Sequence, residues 1–145
     1  MRHATPAIAL ALALVACNDL RDYSGLWRGP RVGDSPALRV GITSDAQATL
    51  DILKADRNGL QAHLSIEGLA MDAPIASIPG AEADVLSNIS FAGSPLRVYL
   101  TFVPATDGGG DALAMIALYE DRRVEIRVLR GGAAPIYAIF ALTEA

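Results

Sequence analysis

The segment QATLDILKADRNGLQAHLSIE, Gln47 to Glu67, decides the fold. Ala48, Leu50 and Ile52 alternate with Gln47, Thr49 and Asp51. The same period of two returns in Leu60, Ala62, Leu64 and Ile66 against Gln61, His63, Ser65 and Glu67. Successive side chains of a pleated chain point to opposite sides, so this pattern suits a strand with one buried face. Between the two runs stands Asp56-Arg57-Asn58-Gly59, in which Asn-Gly readily supplies the positive φ angles of a tight turn. The segment predicts a β-hairpin.

Outward from the hairpin the chain reads as more strands. Leu96, Val98, Leu100 and Phe102 alternate with Arg97, Tyr99 and Thr101. Ala112 to Tyr119 is apolar on both faces. From Arg123 to Arg130, Val124, Ile126 and Val128 face one way while Arg123, Glu125 and Arg127 face the other. Ile136 to Thr143 closes the chain, again apolar on both faces. TDGGGD (Thr106 to Asp111), Glu120-Asp121 and GGAAP (Gly131 to Pro135) are the turns between these runs. Further strands are expected at Leu26 to Arg31, Leu38 to Thr43 and Val85 to Phe91. Gly68 to Gly80, with two prolines and little alternation, reads as a long loop. Eight or nine short strands in sequence argue for a small all-β antiparallel meander, either a barrel or a β-sandwich. Closing the meander would hide its edges from stray pairing.

The N-terminus has a different character. Arg2 and His3 precede a run of ten apolar residues, Ala7 to Ala16. At helical rise that run spans about 15 Å, half the hydrocarbon core of a bilayer, which suits an export signal rather than a membrane span. It ends in Leu14-Val15-Ala16-Cys17, containing the only cysteine in the chain. This stretch resembles the lipobox of bacterial lipoproteins. The resemblance implies that Cys17 is lipidated, that cleavage follows Ala16, and that the mature chain is anchored to a membrane through its N-terminal lipid. Stable anchoring takes two acyl chains or more, which a triacylated cysteine supplies. Asn18 follows the cysteine where the usual inner-membrane signal is Asp, so the expected location is the cell envelope, facing the periplasm, at the outer membrane rather than the inner. The expected organisation is a signal peptide over 1–16, a tether over 17–24 and one domain over 25–145. With no second cysteine for a disulfide, the domain must be held by its core.

A second resemblance lies at the start of that domain. Gly25-Leu26-Trp27 matches the Gly-x-Trp that opens the first strand of lipocalins and related calycin barrels. It implies a lipocalin-like barrel in which Trp27 plugs the closed end and an arginine from the last strands lies over its ring, a cation–π contact. Arg127 and Arg130 are the candidates.

Composition narrows the function without naming it. The 145 residues are 52% hydrophobic with a formal charge of −4, and eleven of the twelve basic residues are arginine, scattered along the chain. No basic run is present to grip a phosphate backbone, so nucleic acid is not an expected partner. His3 leaves with the signal peptide and His63 stands without a local ligand partner, so no metal site is read. Asp107 and Asp111 flank three glycines as a solvated turn. Glu67, Asp72, Glu82 and Asp84 bracket the long loop. Asn88-Ile89-Ser90 fits a glycosylation sequon that a bacterial cell usually leaves unread. Tyr99, Tyr119 and Tyr137 suggest a cross-strand aromatic ladder, or else the lining of a ligand cavity. No catalytic set and no cofactor is expected. The reading is a lipid-anchored envelope protein that acts as a binding or assembly module, holding a partner or a small apolar ligand. The alternative is a small envelope hydrolase using carboxylates.

Overall fold

The hairpin forms as its alternation requires. Strands β2 (Gln47–Asp56) and β3 (Gly59–Ile66) pair antiparallel with Leu50 opposite Leu64, and Ala48, Leu50, Leu60 and Leu64 turn inward. The turn is held by Asp56, whose Oδ1 accepts the Asn58 and Gly59 amides at 2.7 and 3.0 Å. A register shift between Ile52 and Lys54 absorbs Leu53 as a bulge on the outside and returns Ala55 to the interior.

The computed structural model describes residues 20–32, 46–79, 93–132 and 135–145. The expected strands at Leu38 to Thr43 and Val85 to Phe91, the sequon at Asn88, and Ala16 with Cys17 lie outside the described residues. The remaining elements are a 3-10 turn at Leu20–Tyr23, β1 (Gly25–Pro30), β4 (Met71–Ala76), β5 (Arg97–Val103), β6 (Ala112–Tyr119), β7 (Arg123–Arg130) and β8 (Ile136–Glu144). All eight strands belong to one antiparallel sheet in the order β4-β3-β2-β1-β8-β7-β6-β5. Every neighbour in that order is also a neighbour in sequence, except that the first strand meets the last. The sheet is therefore a meander curled into a nearly closed barrel, not the two stacked sheets of a sandwich.

One stretch departs from the sequence reading. Within Gly68 to Gly80, Met71, Ala73 and Ile75 point inward while Asp72, Pro74 and Ala76 point out, and β4 pairs with β3 along its length. Proline fits here because β4 is an end strand of the sheet, where one row of amides has no ladder to serve. Opposite it, β5 is followed by Pro104. Between these two strands the seam is pinned at its ends only. A bridge joins Ser77 to Thr101, the Ile78 amide donates to Leu100 O at 2.7 Å, and the Thr106 amide donates to Ala70 O at 2.8 Å. Thr101, buried in the wall, adds a bond from Oγ1 to Ala76 O at 2.8 Å.

Inward side chains from all eight strands form one buried cluster, with Trp27, Tyr23, Tyr99 and Phe140 among the largest. In β5 the inward set is Tyr99, Thr101 and Val103. Val98 and Leu100 face outward and pack with Met115, Ala117 and Tyr119 in a second cluster on the outside of the wall. The aromatic ladder does not form: Tyr99 points inward, while Tyr119 and Tyr137 lie outside at opposite ends of their strands, beside Arg123 and Leu129. The outside of β2 and β3, by contrast, is polar apart from the bulged Leu53.

Candidate functional site

Alternating strand directions give the barrel two unlike ends. The entry end carries the 3-10 turn, the β2–β3 and β6–β7 turns and the C-terminus. The far end carries the β1–β2, β3–β4, β5–β6 and β7–β8 connections.

The entry end is plugged. Trp27 and Tyr23 are fully buried and stack at 5.5 Å between ring centroids, inclined by 18°. Trp27 Nε1 donates to Tyr23 O at 2.8 Å, and the Tyr23 hydroxyl donates to Tyr119 O. Burial raises the Tyr23 pKa, an effect that nearby Arg122 opposes. The cation over these rings is Arg122, in the β6–β7 turn, 5.2 Å from the Tyr23 centroid and 5.3 Å from that of Trp27. Its guanidinium also donates to Asp22 O and, at 2.7 Å, to Glu144 Oε2, and that hydrogen bond raises its pKa. Arg122 thus ties the 3-10 turn, the first strand and the last strand together. It holds a left-handed backbone with φ of 60°, unusual for a residue with a Cβ.

Neither arginine expected over Trp27 lies there. Arg127 faces outward, its Nε donating to Glu125 Oε1 at 2.6 Å. Glu125 is only 4% exposed, and the Tyr119 hydroxyl donates to its Oε2 at 3.4 Å. Arg123 lies 4.1 Å over the Tyr119 ring. Burial first, and the Glu125 charge second, push the Tyr119 pKa up to about 12. Arg130 sits at the far end. It continues the inward series Val124, Ile126 and Val128, so its guanidinium enters the barrel mouth beneath the glycine-rich β5–β6 turn.

The other candidates are dispersed. His63 Nε2 lies 3.0 Å from Asp72 Oδ1, an exposed pair across β3 and β4 that the sequence reading could not anticipate while β4 was taken for a loop. Glu67 is exposed in the β3–β4 turn, and Glu82 and Asp84 lie outside the described residues. A cleft of about 160 Å³ opens near the β2–β3 turn, lined by Lys54, Asp56, Asn58, Gly59, Leu60, Gln61, Ala76 and Ser77. Its one carboxylate, Asp56, lies 3.0 Å from Lys54 Nζ, and that contact together with the Asn58 amide holds it below the usual carboxylate range. No group of three or more His, Cys, Asp or Glu able to hold a metal occurs among the described residues.

Compared with protein-family models, curated proteins and solved structures, the chain matches none.

Proposed function

We propose that this protein is a lipid-anchored module of the bacterial cell envelope that binds a partner protein at the far end of its barrel. One observation carries the reading. The chain enters the fold through the 3-10 turn at Leu20, at the plugged end, so an acylated Cys17 stands only three residues away. Three residues span about 11 Å at most, which holds the Trp27 end against the membrane. The far end, with its β3–β4 and β5–β6 turns, then faces the periplasm. A partner suits this arrangement better than a small apolar ligand, because the inward side chains of all eight strands pack on one another as one buried cluster. The hydrolase alternative has little to draw on: the cleft near the β2–β3 turn holds a single carboxylate, engaged by the turn it closes.

The test is Cys17→Ser in the native host. The substituted protein is expected to leave the membrane fraction or to persist as an uncleaved precursor. Mass spectrometry of the wild type is expected to show acyl chains on Cys17. A substituted form that matures and fractionates like the wild type sinks the reading.

A further inference from the structure

The far end contains a cation whose hydrogen-bonding capacity the fold leaves largely unused. Arg130, the last residue of β7, is 9% exposed and stands opposite Ile136 of β8. Its Nε and Nη1 are buried and make no hydrogen bond among the described residues. The facing charge is Asp107, whose Oδ1 lies 3.7 Å from Nη1, beyond hydrogen-bond reach. That oxygen is held off by its own turn, since it accepts the Gly109 amide at 2.8 Å.

The surroundings keep the guanidinium covered without satisfying it. A Cβ on Gly109 would lie 2.8 Å from Arg130 Nη1, so the loop backbone passes close above the guanidinium and a side chain there would push it aside. Gly108 and Gly110 on either side both have positive φ, at 75° and 85°. The buried residue across from it on β8, Ile136, carries no acceptor on its side chain. Buried polar groups are ordinarily paired, and an arginine fork has five donors to place.

We propose that Arg130 is a carboxylate-binding residue, with Asp107 as the exchangeable stand-in for the incoming group. Asp107 is 47% exposed and can turn to solvent when a ligand carboxylate takes its place. A carboxylate fits better than a phosphate. One guanidinium neutralises one negative charge, and a phosphate dianion would bring an uncompensated second charge into a covered site. The ligand is therefore an acidic side chain or a chain terminus of the partner. This rests on the far end being the working end.

The probe is acetate, titrated into the detergent-solubilised full-length protein at constant ionic strength with chloride as the balancing ion, and read by thermal unfolding. Acetate is expected to raise Tm saturably above the chloride baseline. Asp107→Asn, which removes the competing carboxylate, should tighten the apparent Kd by about two- to fivefold, the scale of an exposed ion pair. Arg130→Gln should abolish the response. If Arg130→Gln does not fold, the Asp107→Asn shift alone decides. The proposal is overturned if wild type and Asp107→Asn respond to acetate no more than to chloride, or if phosphate gives the larger effect. Either result leaves the Cys17→Ser fractionation untouched, so loss of the carboxylate site is distinguishable from loss of the anchored-module reading.

Discussion

The guanidinium of Arg122 lies 5.3 Å from the ring centroid of Trp27, although 95 positions separate them in the chain. The contact joins the first strand to the β6–β7 turn at the end where the chain enters the barrel. It is made by a residue that holds a left-handed backbone to reach the ring.

Two substitutions separate the side chain of Arg122 from its backbone. Arg122→Ala removes the cation over both rings and the bond to Glu144 while keeping a Cβ at φ of 60°, and should cost about 2 kcal/mol. Arg122→Gly loses the same side chain but relieves the backbone, and should be milder by about 1 kcal/mol. Urea unfolding measures both. Equal losses would show that the turn is unstrained. Trp27→Ala should cost about 3–5 kcal/mol as a fully buried aromatic truncation.

At Gly29 the backbone of β1 lies close against that of β8. A Cβ built there would lie 1.9 Å from Ala141 O and 2.8 Å from Leu142 Cα, both backbone atoms that cannot swing aside. Gly29→Ala should therefore destabilise by about 3 kcal/mol, at the upper end for overpacking, and loosen amide protection on β1 and β8 in hydrogen exchange. Gly131→Ala, whose Cβ meets nothing within 4 Å, is the control and should be neutral or stabilising by up to about 1 kcal/mol. Similar effects at the two sites would refute the close approach.

The Glu125–Arg127 pair is buried on the outside of the barrel wall, with side chains 5% and 12% exposed. Glu125→Ala strips a charge partner from a covered arginine and should cost about 3 kcal/mol. A double-mutant cycle with Arg127→Met should return a coupling of at least about 1 kcal/mol. A coupling near zero would mean that the 2.6 Å contact is energetically idle.

Alkaline pH should unfold the protein through Tyr119. Its folded pKa, pushed up to about 12, exceeds the ordinary value of 10 for an exposed tyrosine. The folded state therefore favours the neutral phenol. That contribution is fully present below pH 10 and is lost as pH rises from 10 toward 12. Tyr23, also raised, acts in the same direction. Thermal melts from pH 9 to 12 should show Tm falling, with a shallower fall in Tyr119→Phe. Identical slopes in the two proteins would remove Tyr119 from the account.

Legibility varied along the chain for physical reasons. The Gln47–Ile66 hairpin was readable because alternation and an Asn-Gly turn agree, and both are local. Met71–Ala76 was not, because Pro74 argues against a strand until it is known that this strand ends the sheet. In β5 the alternation was plain but its polarity was not. Hydrophobicity favours Val98 and Leu100 as the core face, yet the barrel takes Tyr99 and Thr101 inward, where their hydroxyls reach Asp56 O and Ala76 O. The outer face they leave behind packs as well, so both faces of this strand are apolar for different reasons.

The sequence by itself determined β1 to β3 and β5 to β8 and the turns at Asp56–Gly59 and Thr106–Asp111, because these depend on side-chain period and on the φ angles that Asn-Gly and glycine allow, while Trp27, the aromatic plug, stood out only through the Gly-x-Trp resemblance. The tertiary structure alone decided which arginine covers that plug and which stands buried in the opposite mouth. Arg122, Arg127 and Arg130 are near neighbours in the chain. A strand rises about 3.4 Å per residue, so the eight steps from Arg122 to Arg130 carry the charge from one end of the barrel to the other, and only the closed sheet shows what waits there.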